Sequence, residues 1–243
     1  MIVSVVGLGY IGLPTAALIA SNGIKVIGVD VDQDIVNNVN NGKIHIIEPN
    51  LEDLVFSAVE GGNLSAVLEP IDSDIFIVAV PTPFKDGYKP DLSFIKSAAK
   101  SIAKVLKTGN LVILESTSPV GTLEKMVEWM KEERPDLSFP ESSLDAINDV
   151  FIAHCPERVL PGNIINELVM NDRIIGGISK YCSERAHNFY KEFIKGNCLL
   201  TDSRTAEMCK LVENSFRDVN IAFANELSLI CDKLNINVWD LIK

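Results

Sequence analysis

The 243-residue sequence has no CxxC pair, no basic excess and no apolar run long enough to make a membrane helix. Its five cysteines, at 155, 182, 198, 209 and 231, are odd in number and irregularly spaced. That pattern fits reduced, mostly buried thiols in a cytoplasmic protein with no metal better than a disulfide framework or a zinc site. With 22 basic against 33 acidic residues the net charge is -11, so the basic footprint of a nonspecific nucleic-acid binder is missing. A few local cations and helix ends can still hold a small anion. The first twenty residues are apolar, yet they carry no basic leader, and Gly7, Gly9, Gly12 and Pro14 interrupt them. A signal peptide is therefore not expected. Internal repeats and low-complexity tracts are also missing.

What is present is an ordinary globular composition, 47% hydrophobic and 23% charged, with enough length for one large domain or a domain and a smaller companion. Short apolar runs at 2–6, 25–30, 74–80, 111–115, 150–155 and 173–178 predict strands. Helices are predicted over 12–21, after the second strand to near Gly42, over about 91–106, after Gly121, and over 179–194. Alternation of this kind predicts an α/β fold with a mainly parallel sheet covered on both faces. The polar, proline-containing stretch 133–149 is expected as an exposed excursion. From about residue 203 the pattern changes to one long helix reaching roughly Leu234 and a shorter one beginning near Asn237. Residues 1–200 and 201–243 are therefore expected to form two units, the second helical.

VVGLGYIG places Gly7, Gly9 and Gly12 directly after the first strand, with Tyr10 and Ile11 between the last two. One glycine turns the chain, one lets backbone N–H groups approach a pyrophosphate, and one lets helix and strand pack closely. The helix that follows points its positive end at the phosphates. Asp30 closes the second strand, where an acid binds the ribose hydroxyls. An acid there repels a 2′-phosphate, so NAD is expected rather than NADP, on a Rossmann-type doubly wound sheet. Thr82 in VPTP and Thr117 in ESTSPVGT end later strands and are expected on the same side; each also reads as a turn threonine bonded to its own backbone.

In TAEMCKLVENSF and the residues after it, Lys210, Asn214 and Arg217 share one helix face. Met208, Leu211, Val212, Phe216 and Val219 form an apolar stripe expected to be the core face. By pattern alone the polar row is as consistent with a solvated helix side as with a site.

Seven motifs, GLGYIGLP, VIGVDVD, EPNL, VAVPTP, STSPVGT, PERVLPG and RTAEMCKLVENSFRDVNIAFANEL, follow one another in this order. The series resembles the nucleotide-sugar 6-dehydrogenases, and AHCPERVLPG is most similar to the members that oxidise UDP-N-acetyl-D-mannosamine rather than UDP-glucose. The resemblance implies a UDP-sugar substrate whose C6 alcohol goes to a carboxylate with two NAD, through a cysteine-bound thiohemiacetal and thioester. It further implies Lys210 as proton donor and acceptor, Asn214 as its partner, and Glu157 as the acid that orders water, with Thr117 helping. Arg158, Val159 and Arg217 are implied as substrate contacts, together with Lys210 and Asn214. The family's nucleophile lies in a GGHC-type loop that this sequence does not contain. Cys155 and Cys209 are closest to the site, and both read as core residues.

The resemblance thus implies an NAD-binding domain and the start of the helical dimerisation domain, without the UDP-binding domain. Such a fragment is expected to bind NAD and to self-associate through residues 203–243, but not to complete the oxidation. The alternatives are a nonenzymatic NAD-binding module, a UDP-N-acetylglucosamine or UDP-glucose 6-dehydrogenase, or a dehydrogenase of the β-hydroxyacid or 6-phosphogluconate type.

Overall fold

Strand β1 (Ile2–Val6) is an interior strand of an eight-stranded sheet and pairs in parallel with β2 (Lys25–Val29) on one side and β4 (Ile75–Val78) on the other. These strands and β7 (Leu111–Leu114) are short runs rich in Val, Ile and Leu because helices cover both faces, leaving no solvent side for polar alternation. The computed structural model describes residues 1–141 and 147–243.

Helix α1 (Gly12–Ser21) crosses from β1 to β2, and α2 (Gln33–Asn40) and α3 (Leu51–Glu60) lead to the edge strand β3 (Leu64–Val67). After β4, a small hairpin of β5 (Phe84–Lys85) and β6 (Lys89–Pro90) precedes α4 (Ser93–Ala103). Helix α5 (Thr122–Glu133) then separates β7 from β8 (Phe151–His154). The chain continues through α6 (Ile164–Met170), β9 (Arg173–Gly177), α7 (Lys180–Tyr190), β10 (Cys198–Asp202), α8 (Ser203–Lys233) and α9 (Val238–Ile242).

The sheet order is β10-β9-β8-β7-β4-β1-β2-β3. Order reverses between β1 and β4, and ligands of open α/β sheets bind outside the carboxyl ends of the strands at that switch point. One core contains α1, α3, α6 and α7 side chains such as Leu13, Val55, Ile164 and Phe189. The other contains α4 and α5 side chains such as Ile102 and Met126. The expected Rossmann-type sheet, mainly parallel and followed by a helical segment, is therefore present.

One pairing departs from the parallel pattern. β9 runs antiparallel to β8, with Ala153 opposite Gly177 and His154 opposite Gly176, and β10 follows β9 in parallel. The amino end of β9 consequently lies at the carboxyl ends of the main strands, which places Arg173 beneath the loop that follows β8.

Helix α8 starts with Asp202 accepting a hydrogen bond from the Thr205 amide at 2.9 Å, the N-cap expected of an aspartate. It lies against β9 because Gly176 has no side chain; a Cβ there would sit 2.5 Å from the Ala206 Cβ. The face it buries corrects the expectation. Ala206, Glu207 and Lys210 are buried, whereas Met208, Val212, Phe216 and Val219 are between 51% and 71% exposed. The reason is length: 31 residues make a rod of about 46 Å. Only its first turns reach the sheet, where close approach selects small and hydrogen-bonded residues over an apolar stripe. The stretch 133–149 is also not wholly exposed, since Phe139 is buried among α4 and α5 residues; residues 142–146 of that stretch lie outside the described residues.

Candidate functional site

Immediately after β1, Gly7 takes φ +93°, a conformation side chains resist, and its amide donates to the Val29 carbonyl at 2.8 Å. Gly12 opens α1 so close to this turn that an added Cβ would lie 1.7 Å from the Gly7 carbonyl oxygen. At Gly9, by contrast, an added Cβ has no neighbour within 4 Å, so that side of the turn is open. Asp30 follows β2, and its Oδ2 accepts from the Leu8 amide at 2.9 Å. Ile11 immediately precedes α1, and the Tyr10 hydroxyl donates to Glu48 at 3.3 Å. A glycine turn at a helix amino end, open at Gly9 and flanked by a half-buried aspartate, fits an NAD pyrophosphate and ribose.

Thr82 meets Thr117 rather than its own backbone. The Thr82 hydroxyl donates to the Thr117 carbonyl at 2.8 Å, joining the segments that follow β4 and β7. Ser116 reinforces the join by donating to the Val80 carbonyl at 2.7 Å.

The second group assembles around the loop after β8. Lys210, on α8, donates from Nζ to the Glu157 carbonyl at 2.7 Å and stands 3.5 Å from Glu157 Oε1. The other carboxylate oxygen accepts from the Val159 amide at 2.9 Å, which turns the loop back on itself. Arg158 points to α8, its Nη2 2.6 Å from Glu213 Oε1. Arg158, Val159, Lys210, Asn214 and Arg217 all line one cleft of about 570 Å³. The residues expected to touch substrate are thus brought together. Thr117 is not among the residues lining that cleft; it belongs to the neighbouring β4–β7 join.

Three buried carboxylates were missed in the sequence. Glu48, in EPNL, accepts from the Gly162 amide at 2.9 Å and the Ile164 amide at 2.8 Å, fixing the PERVLPG loop to the start of α6. Glu115 is fully buried, 3.2 Å from Arg173 Nη1 and accepting from the Tyr190 hydroxyl at 2.7 Å. Burial raises its carboxyl pKa, against the opposing pull of Arg173 and Tyr190. Glu207 is the third. Each stands inside a quoted motif, Glu48 in EPNL, Glu115 in ESTSPVGT and Glu207 in TAEMCKLVENSF, but the motifs do not reveal its role because each acts on groups distant in sequence.

Cys155 lies in the same buried cluster, its sulfur 3.8 Å from Arg173 Nη1. Burial pushes its thiol up to about 11, so it has almost no thiolate at neutral pH and is a poor nucleophile. Cys209 does not line the cleft.

His154, at the end of β8, is fully buried, and among the described residues neither ring nitrogen has a hydrogen-bond partner. Burial lowers its pKa to about 4, against a weaker pull from the Leu114 backbone. A histidine depressed in the folded state binds its proton more readily when unfolded. Its contribution is therefore present above the ordinary value of 6.5 and is lost as pH falls from there toward 4. In urea titrations, His154→Leu is expected to gain on the parent by about 2 kcal/mol between pH 7 and pH 5. Parallel stability curves for the two proteins would show that His154 does not titrate in this way.

Among the described residues, no helix is long and apolar enough to cross a membrane. The model of the UDP-glucose/GDP-mannose dehydrogenase family, NAD binding domain, matches residues 1–194, and that of the family's central domain matches residues 204–243. A Campylobacter jejuni UDP-N-acetyl-D-mannosamine dehydrogenase is 63% identical over 242 residues, covering 99% of this chain and 59% of that protein. A Ralstonia nicotianae NDP-N-acetyl-D-galactosaminuronic acid dehydrogenase is 59% identical, covering 99% of this chain and 56% of its own length. The solved UDP-D-ManNAc dehydrogenase of Pyrococcus horikoshii superposes with a TM-score of 0.92 at 42% identity, over 100% of this chain and 56% of that one. The chain thus spans under three fifths of the length of these relatives.

Proposed function

The chain belongs to the UDP-glucose/GDP-mannose dehydrogenase family, and from that membership we propose that the full-length protein oxidises the C6 alcohol of UDP-N-acetyl-D-mannosamine to the uronate. The observation that carries the reading is Lys210, held by Glu157 at the wall of the 570 Å³ cleft with Asn214 one turn further along the same helix. Residues 1–200 supply the NAD site, and residues 201–243 begin the helical part that presents Lys210.

Alcohol to acid is a loss of four electrons: one alcohol, one water and two NAD⁺ yield one carboxylic acid, two NADH and two protons. Bound at the glycine turn, NAD would supply the hydride acceptor. The chain's own residues handle protons and developing charge. Lys210 takes the C6 hydroxyl proton in the first step, and its ammonium then faces the oxyanion that forms at the same carbon. Asn214 donates a hydrogen bond to that oxygen. Glu157, whose Oε1 already faces Lys210, orders the water that releases the acid. Arg158 and Arg217 supply positive charge for the sugar diphosphate, Arg158 by exchanging Glu213 for the substrate. Val159 supplies an apolar wall. The thiol that captures the aldehyde comes from outside these 243 residues, since none of the five cysteines lines the cleft and Cys155 is buried as a neutral thiol. Alone, the chain binds NAD without completing the oxidation.

Identity above 60% to UDP-N-acetyl-D-mannosamine dehydrogenases supports this sugar, and the test compares it with its neighbours. The full-length protein is incubated with UDP-N-acetyl-D-mannosamine, UDP-N-acetyl-D-glucosamine and UDP-glucose, counting NADH per sugar. Two NADH from the first and little from the others is expected. No NADH from any of the three would leave only an NAD-binding module.

The exposed stripe on α8, with Phe223 also exposed beyond it and Trp239 on α9, suits burial against a second copy. A homodimer through residues 203–243, in a reducing cytoplasm where the five free thiols persist, completes the reading. Light scattering that finds only monomer at high concentration would remove the dimer.

A further inference from the structure

Glu207 is fully buried, yet among the described residues neither an Arg nor a Lys forms an ion pair with it. Its Oε2 accepts from the Gly121 amide at 2.6 Å and its Oε1 from the Leu123 amide at 2.8 Å. Both amides belong to the amino end of α5, where unpaired N–H groups and the helix dipole favour negative charge. Burial raises the carboxyl pKa, and the two amides oppose that shift. A second link binds the same two helices at the surface: Arg204 donates from Nε and Nη2 to the two oxygens of Glu124, each at 2.8 Å.

The placement gives this carboxylate a consequence beyond capping. Lys210 comes three residues after Glu207 and therefore lies on the same side of α8; both are buried. On the other side of the contact, Gly121 ends the segment that begins at Thr117, and Thr117 is tied to the end of β4 through Thr82. Glu207 thus joins the helix carrying Lys210 to the strand-end segment that flanks the NAD side of the site.

We infer that Glu207 is a positioning residue: by clamping α8 to the amino end of α5, it sets Lys210 at its working distance from the Thr117 segment. The inference rests on the proposed dehydrogenase reading. It predicts that removing the clamp damages the step that uses Lys210 more than it damages substrate or NAD binding. A neutral amide cannot reproduce the clamp, because a glutamine has one acceptor oxygen and would turn its NH₂ toward the second backbone N–H.

The test is a double-mutant cycle in the full-length protein, with UDP-N-acetyl-D-mannosamine and NAD as probes. Glu207→Gln is measured alone and on the Lys210→Ala background, and Glu207→Asp serves as the conservative variant and as the fallback should the glutamine protein not fold. On the parent background Glu207→Gln is expected to lower kcat about 100-fold, the scale of a misplacement of about 1 Å, with KM and NAD affinity within about threefold. Glu207→Asp keeps the charge and is expected to recover part of that loss. On the Lys210→Ala background the same substitution is expected to cost at least tenfold less than on the parent, since the lysine is gone and only Asn214 and Arg217 remain on the clamped helix to be positioned. A kcat near the parent's, or equal losses on both backgrounds, would overturn the positioning role while leaving the dehydrogenase reading intact. A parent protein that makes no NADH would instead remove that reading, and the inference with it.

Discussion

Replacing Lys210 by alanine in the full-length protein is expected to lower turnover about 1000-fold while the fold persists. General base catalysis by a positioned group is worth about 100- to 10,000-fold, and loss of one donor to an oxyanion about 100- to 1000-fold. In the proposed mechanism Lys210 does both, so its removal takes both contributions from the same atom. The structural cost is smaller. Lys210 gives one hydrogen bond to the Glu157 carbonyl and one ion pair at 3.5 Å, at the cleft margin where water can replace an ammonium. Stability is therefore expected to fall by about 1–2 kcal/mol. Single-turnover measurement of NADH formation, with thermal unfolding on the same samples, separates the two effects. Turnover within tenfold of the parent would take Lys210 out of the chemistry.

The second large effect concerns two glycines that look alike in the motif and differ in space. Gly12→Ala puts a methyl 1.7 Å from the Gly7 carbonyl oxygen and 3.3 Å from the Ala79 Cβ, so α1 must move away from the turn. Both stability and NAD binding are expected to fall, NAD affinity by more than about 100-fold, because the helix end and the turn amides no longer converge on one phosphate. Gly9→Ala meets nothing within 4 Å in the protein, and its φ lies outside the left-handed region. Its stability is expected to stay within about 0.5 kcal/mol of the parent, while NAD affinity drops at least tenfold as the added methyl enters the space kept for the pyrophosphate. Calorimetric titration of NAD into the 243-residue chain, with thermal melts, distinguishes the pair. Equal NAD affinity in Gly9→Ala and parent would place the pyrophosphate elsewhere.

How far the sequence could be read follows from where each interaction partner sits. β1, α1 and β2 are legible because apolar runs, a glycine turn and a closing aspartate lie within thirty residues of one another. β3 and β10 were not identified as strands: both are edge strands, and β10 is half-exposed or exposed along its length, so neither carries the continuous apolar run of the interior. α6 is a single short helix of seven residues whose amino end is satisfied by Glu48, 116 positions from its Ile164 partner. On α8 the sequence reading chose Met208, Val212, Phe216 and Val219 as the buried side, whereas the sheet takes Ala206, Glu207 and Lys210. Hydropathy cannot anticipate that choice, because Lys210 is buried by a carbonyl and a carboxylate 53 residues away.

The sequence by itself determined the glycine turn, the acid after the second strand, and the spacing of Lys210, Asn214 and Arg217 along one helix. Those features depend on backbone torsions and helical period, which residues impose on near neighbours. Only the tertiary structure decided that β9 reverses against β8, that Arg173 goes under the site, and that α8 turns its lysine inward onto Glu157. These outcomes depend on buried charges finding partners across the chain, and a desolvated carboxylate selects the one arrangement in which amides or a cation are waiting for it.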